Sequence, residues 1–466
     1  MLTPEQENAR TLMKLMGLSE DEAVQKLKWR VAISATGSAG ERLALLIKQV
    51  VGLTVEVVAI EDQPDLEFAI NGPPAGQAPL QILATIDAQG MVAWSPSNSG
   101  RAPAGDMPPD VAMKIAACYA AGYILSEWRG GEHCAALPRP FAVDFAKLGI
   151  TPALANQAID MSASVLVGGG GVANGFLWAA EELLLTGRLL IVDPKTVSKG
   201  NLNRCLLFTE ADLGENKAEV LARNVRIGNL ELVPFVGSFD AVVRARQRVK
   251  QAIVTVDSRA ARRVIQNGLP LEVLDASTTD VTSVVVHSHA QPTDGACLAC
   301  IYKHNPAEDE RELSIAEGLG ISVAEVKQDF IDATLARKLC GIHPGLDEAA
   351  LINTQLTSLY KQLCGAQSLL TNAGEQALAP FAFVSNLAGA LLALELLKFS
   401  ADREAATQSH YLTLDPWRPP HKLARRVYGR AADCGFCADP ANLSVLASVW
   451  PEWLGSGDDG PSEAAA

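Results

Sequence analysis

The chain has 466 residues, room for two or three domains, and a formal net charge of −14. That charge provides no broad basic surface and excludes a general nucleic-acid binder, while 48% hydrophobic residues with only 5% aromatics suit parallel sheets covered by helices. The sequence has neither a basic–apolar–small leader pattern nor an uninterrupted apolar run of membrane-spanning length, so the expected location is the cytoplasm.

An amphipathic helical opening, Pro4 to Leu27, leads into a first α/β unit. Trp29 to Ser34 reads as a strand, Gly37 to Val50 as a turn and helix, and Thr54 to Ile60 as a second strand. Further strand-like runs lie at Leu66 to Ile70, Leu80 to Ala84 and, after the Gln89-Gly90 turn, Met91 to Trp94. Asp110 to Ser126 reads as an Ala-rich helix, and Pro138 to Pro152 as a linker. Residues 1–140 are expected to form an N-terminal α/β domain. Gly37-Ser-Ala-Gly40 reads either as a worn phosphate loop or as an ordinary turn of an unrelated accessory domain.

The next segment carries the chemistry. Ser164 to Val167 is a short apolar strand that ends in four glycines, Gly168 to Gly171. Phe176 to Thr186 has helical apolar spacing, and a second strand, Arg188 to Val192, stops at Asp193. Strand, glycine turn, helix, strand and acid together place phosphates on a helix N-terminus and ribose hydroxyls on a carboxylate. Beyond Asp193 the chain gathers Asn201, Arg204 and Lys217, a polar and cationic set that a dehydrogenase does not need. Strand-like runs at Leu232 to Val236, Ala252 to Val256 and Val281 to His287 continue the sheet, with Asp257 at the end of the second. Ala307 to Gly374 is polar and helical, Phe381 to Lys398 is a long apolar helix with Ala and Gly faces, and Gly455 to Ala466 has the composition of a disordered tail.

Cys297-Leu-Ala-Cys300 and Cys434-Gly-Phe-Cys437 are two CxxC knuckles far apart in sequence. Their spacing predicts a closed tetrahedral site of four thiolates for structural zinc. A redox pair would be expected to open a helix in a thioredoxin-like unit, and neither pair reads that way. Cys118, Cys134 and Cys205 lie in apolar or helical context and read as core residues. His287 and His289 lie on one strand, where one of them is expected to face the core, and neither is assigned a catalytic role.

Taken in order, the glycine loop, Asp193, Asn201-Leu-Asn-Arg204, Gly214-Glu-Asn-Lys217-Ala, Asp257 with Arg259 and the CxxC pairs resemble a superfamily of adenylating enzymes. It comprises the ubiquitin-activating enzymes and the bacterial sulfur-carrier adenylyltransferases. The resemblance covers Ala155 to Cys300 and returns from Pro380 to Cys437, giving an expected adenylation domain over 155–437 with a helical insertion at 305–375. It implies a Rossmann-like, mostly parallel α/β fold that uses ATP and Mg2+. Gly168, Gly170 and Gly171 would admit the nucleotide backbone-close, and Asp193 would hold its ribose. Asn201, Arg204 and Lys217 would neutralise phosphate oxygens, and Asp257 would attend the metal. Three departures stand out: Ala173 replaces a third glycine, Lys195 replaces the second acid of an Asp-x-Asp pair, and an Arg-x-x-Arg-Gln segment that supplies an arginine across a dimer is missing. Neither Arg129 nor Arg139 can be singled out in its place.

The resemblance further implies adenylation of the C-terminal carboxylate of a ubiquitin-like protein, capture as a thioester on a cysteine and transfer to a conjugating enzyme, by a homodimer. The insertion holds two cysteines flanked by lysine and glycine, Cys340 and Cys364; Cys364, nearer the Phe381 helix, is the expected nucleophile. Two rivals stand beside this reading: adenylation of a sulfur carrier or ribosomal peptide without a thioester, and a catalytically inactive scaffold.

Overall fold

The computed structural model describes residues 3–94, 106–129, 141–246, 248–278, 281–328, 330–352, 354, 356–363, 380–408, 410–420 and 424–451. Two sheets organise them. The first contains β1 (Arg30–Ala35), β2 (Glu56–Val57), β3 (Leu66–Ile70), β4 (Leu80–Asp87), β5 (Gly90–Trp94) and β6 (Phe141–Asp144), in the order β2-β1-β3-β4-β5-β6. The second contains β7 (Ile159–Asp160), β8 (Ser164–Val167), β9 (Leu185–Val192), β10 (Asn229–Phe235), β11 (Gln251–Val254), β12 (Glu272–Thr278), β13 (Val284–Ala290), β14 (Tyr411–Leu414) and β15 (Arg425–Arg426). Its order is β10-β9-β8-β11-β12-β13-β14-β15, with β7 beside β9.

The two sheets share one plan. Counted from the strand that follows the first covering helix, β2-β1-β3-β4-β5-β6 matches β9-β8-β11-β12-β13-β14. In each, four strands run parallel and the last two antiparallel. In each, the last of these strands follows a long helix buried all round, Asp110–Ser126 in one half and Ala382–Ala401 in the other. These helices pack on one another and on Gly37–Val51 and Gly171–Ala180, joining both halves in one apolar core. Gly175 and Gly389 make the closest crossing: a Cβ on Gly389 would lie 2.2 Å from Phe176 N, so only glycine permits this backbone contact. Lys114, fully buried at the junction, reaches Asp110 at 2.7 Å and Glu181 at 3.3 Å. By length and composition Ala382–Ala401 could cross a membrane, but 94% of its apolar window is buried inside the protein.

Several elements differ from expectation for local reasons. The opening helix breaks into Pro4–Met16 and Glu20–Leu27, because Gly17 takes a left-handed φ of +68° and Ser19 with Glu22 forms a new capping box. The strand expected over Thr54 to Ile60 pairs only at Glu56–Val57. The glycine-loop helix is Gly171–Ala180, starting at the loop itself, and β9 begins at Leu185. Phe141–Asp144, assigned to a linker, pairs with β5 as the last strand of the first sheet. β13 starts at Val284 and is buried along its whole length; His287 and His289, two residues apart and so on one face, are both buried with ring centroids 5.1 Å apart, where only one was expected in the core. The insertion contains Pro306–Leu319, Val323–Val326, Ala333–Ile342, Glu348–Leu351 and Leu356–Leu363, packed around an apolar cluster of their own.

Candidate functional site

The site forms at the carboxyl ends of β8, β9 and β11. Gly168 leaves β8 at φ +100°, and a Cβ there would lie 3.1 Å from Val256 N. The Thr255 hydroxyl donates to the carbonyls of Val167 at 3.0 Å and Gly168 at 2.8 Å, fixing the loop to β11. Gly170 is the N-cap of Gly171–Ala180 with no side-chain cap, and a Cβ on it would meet nothing within 4 Å. The first amides of this helix therefore border open space, the arrangement that receives an anion. Gly171 packs against Ser385 and the Arg204 stem, which a Cβ would meet at 3.0 and 3.2 Å.

Asp193 ends β9 and is 5% exposed. Its Oδ2 accepts from Gly169 N at 2.6 Å and its Oδ1 from Lys195 N at 2.7 Å, so its carboxylate ties the glycine loop to the turn after β9. Asn216 caps Lys217–Asn224 and donates its amide to the Asp193 and Lys195 carbonyls, setting Lys217 beside the loop. Lys217 is 7% exposed, and among the described residues no hydrogen bond or ion pair engages its ammonium. Burial lowers its pKa, and nearby Asp193 partly offsets this. Desolvation of the ammonium on a largely buried side chain is costly, and an anion beside it would offset that cost.

Arg204 donates from Nη1 to Gly200 O at 2.9 Å and Asn203 Oδ1 at 2.7 Å. Asn201 accepts on Oδ1 from Ser198 N at 3.0 Å and Ser198 Oγ at 3.1 Å, shaping the same loop. Asp257 follows β11 with a side chain 78% exposed, and its Oδ2 stands 3.4 Å from Lys195 Nζ. The Lys195 ammonium, then Lys217, holds its carboxyl well below the usual range against an opposing effect of the surrounding protein.

Supporting residues were missed because their partners lie far along the chain. Asn386 donates to Arg204 O at 3.2 Å, and Asn174 accepts from Leu207 N at 3.0 Å. Asn203 donates to Asn8 Oδ1 at 3.1 Å, so the first helix is laid on the Asn201–Arg204 loop. Arg139 lies outside the described residues. The only signals available were polar residues inside apolar helices and loops.

The four thiols of Cys297, Cys300, Cys434 and Cys437 are buried within 4.8 Å of one another. Neighbouring sulfurs are 3.7, 3.7 and 3.4 Å apart. Four Zn–S bonds of about 2.3 Å require S···S of about 3.8 Å, so the cluster fits a tetrahedral zinc. Cys297 does begin a helix, but it is the single turn Leu298–Ile301. The helix after Asp257, Arg259–Asn267, is bolted to this knuckle: Arg259 donates to Lys303 O at 2.8 Å and Arg263 to Tyr302 O at 2.9 Å. Arg262, between them, is buried against Asp275 at 2.7 Å.

Cys364 lies outside the described residues, as do Cys134 and Gly455 to Ala466. Cys340 is half-buried, with Sγ 3.5 Å from Leu346 O. Cys118 and Cys205 are buried.

Residues 146–435 match the ThiF family, and residues 1–151 match the E1 N-terminal domain. The chain belongs to the ThiF family. It is 31% identical over 263 residues to uncharacterized protein y4jF of Sinorhizobium fredii, covering 52% of this chain and 50% of that protein. It is 31% identical over 153 residues to the NEDD8-activating enzyme E1 catalytic subunit of Schizosaccharomyces pombe, 32% of each chain. The Drosophila melanogaster subunit of the same name is 33% identical over 131 residues, 26% of this chain and 28% of that one. The chain thus spans half or less of these relatives' lengths. Escherichia coli MccB with ATP is 16% identical with a TM-score of 0.38, covering 63% of this chain and 68% of that one. The microcin C7 biosynthetic enzyme MccB with N-formylated MccA is 16% identical with a TM-score of 0.37, covering 76% and 97%.

Proposed function

We propose that this ThiF-family chain uses ATP to adenylate the C-terminal carboxylate of a ubiquitin-like protein or peptide. The observation that carries this is Lys217, 7% exposed, with an ammonium that no hydrogen bond or ion pair engages among the described residues, beside a glycine-loop helix without a side-chain cap. Helix amides, Lys217 and Arg204 would neutralise the triphosphate, while Asp193 keeps the loop in shape. The substrate carboxylate attacks the α-phosphorus, forming a C–O–P bond; the α–β phosphoanhydride breaks and pyrophosphate leaves. Asp257 is the exposed carboxylate available to Mg2+, which would add charge neutralisation on the phosphates.

In the sequence no Asn-x-x-Arg or Lys set follows the helix turn at Gly37–Gly40, and we read the first half as a nucleotide-free copy of the second. Its helix Pro4–Met16 braces the Arg204 loop in cis, a role a second subunit would otherwise fill. In the fuller reading Cys364 takes the acyl group as a thioester for a conjugating enzyme, with Cys340 the second candidate, and the protein works in the cytoplasm, as a homodimer.

The test is ATP–pyrophosphate exchange with candidate ubiquitin-like proteins and peptides, followed by a non-reducing gel. Exchange lost in Lys217→Met supports adenylation, and a thiol-sensitive adduct lost only in Cys364→Ser supports the thioester. Exchange without an adduct restricts the activity to adenylation. No ATP binding and no exchange refutes the proposal and leaves a scaffold.

A further inference from the structure

Lys195 stands where the family resemblance places an acid, and the structure gives it a particular posture. Its backbone is fixed three times over: its N–H donates to Asp193 Oδ1 at 2.7 Å, and its carbonyl accepts from Lys217 N at 2.9 Å and Asn216 Nδ2 at 3.2 Å. From that base the side chain crosses the cleft from the end of β9 to the end of β11, and its ammonium lies 3.4 Å from Asp257 Oδ2. The other carboxylate of the cleft, Asp193, already accepts a backbone amide on each oxygen. Asp193 is also buried, whereas Asp257 is exposed and so is the accessible carboxylate for a divalent cation, and a monovalent one is standing on it. Mg2+ at such sites takes one or two carboxylates and completes its shell with water and phosphate oxygens.

We propose that Lys195 is a resident counter-cation that closes Asp257 to divalent metal until a polyphosphate arrives, so that metal binding here is conditional on nucleotide. The phosphate chain supplies both terms of the exchange: a more highly charged partner for the ammonium, and the further oxygens the metal needs. The pair is placed for this. Lys195 is 25% exposed and Asp257 78%, so the ammonium can swing without unpacking the core. Lys217 adds a second positive charge close by, which raises the cost of admitting a bare metal ion and the gain from admitting an anion. Lys195 acts through Asp257 and is a positioning residue. The second half of the proposal rests on the nucleotide reading above; the first half does not.

The test uses Mn2+ as probe, titrated by electron paramagnetic resonance into the full, zinc-loaded chain. Without nucleotide, Lys195→Ala should bind Mn2+ about tenfold more tightly than wild type, the size expected of a partly screened charge contact. Lys195→Arg should behave as wild type, and adding Asp257→Asn to Lys195→Ala should abolish the gain. Lys195→Gln serves in place of the alanine variant if that one unfolds. With ATP present, wild type and Lys195→Ala should converge. Equal Mn2+ affinity of wild type and Lys195→Ala without nucleotide overturns the proposal. If wild type binds no ATP, the nucleotide-conditional half falls together with the reading beneath it, while the nucleotide-free comparison still decides whether Lys195 guards Asp257.

Discussion

Arg262 is the perturbation that best tests how the site is held. Its Nε donates to Asp275 Oδ1 at 2.7 Å and its Nη2 to Ala276 O at 3.1 Å, with side chains 3% and 0% exposed. Tyr302, two residues past the knuckle's Cys300, donates to Asp275 Oδ2 at 2.6 Å and lies under the guanidinium, whose Cζ is 4.6 Å from the ring centroid. Burial alone would pull the guanidinium's pKa down, but the Asp275 carboxylate outweighs it. Arg262→Met leaves a carboxylate with no cation in an apolar interior, a loss of about 3–5 kcal/mol. Arg262→Met with Asp275→Leu removes both charges and should recover most of it, because a buried pair replaced by apolar groups of similar size is close to neutral. The assay is urea unfolding of the zinc-loaded protein, paired with hydrogen exchange across Arg259–Asn267. Asp257 lies just before this helix and its Ser258 cap, so the single variant should also weaken ATP binding. A loss below about 1 kcal/mol, or a double variant as unstable as the single, would refute the reasoning.

Lys217→Met should leave stability equal or higher, since it removes a buried charge without a partner, while lowering ATP affinity at least about tenfold; calorimetry and thermal unfolding measure both. Removing zinc with a chelator, or Cys434→Ser, should lower the melting temperature by at least about 5 °C and weaken ATP binding as well, because Arg259 and Arg263 join the knuckle to the helix after Asp257. Retained ATP affinity in a destabilised, zinc-free protein would break that link. Burial, then Arg425, holds the half-buried Lys398 down at about 8, below the ~10.4 of an unfolded chain. Between these values the unfolded chain binds more protons, so stability should rise from about pH 8 toward pH 10, by at most about 3 kcal/mol. Lys398→Met should remove that rise, and an unchanged pH profile would count against it.

The parts of the site written in neighbouring residues are legible from the chain alone. Gly168 to Gly171 follow a β-run and open a helix, Asp193 ends the next strand, and two CxxC pairs offer four thiols; each is a local pattern with a physical requirement behind it. The break at Gly17 and Ser19 is equally local, and the Ser19–Glu22 capping box marks it. That His287 and His289 share a face follows from the two-residue strand period, but that β13 is buried along its whole length is decided by the helices and strands packed around it.

What the sequence by itself determined is the order of chemistry along the chain: a nucleotide loop, a polar and cationic loop, a late acid and a split thiol cluster. Tertiary structure alone decided how those groups are charged against one another. Lys195 meets Asp257 across 62 residues, and Asn386 steadies Arg204 across 182. Such contacts depend on which strand ends a parallel sheet brings side by side and which helices cross at glycine. The register of a sheet is a property of the whole folded chain, and no short window of sequence encodes it.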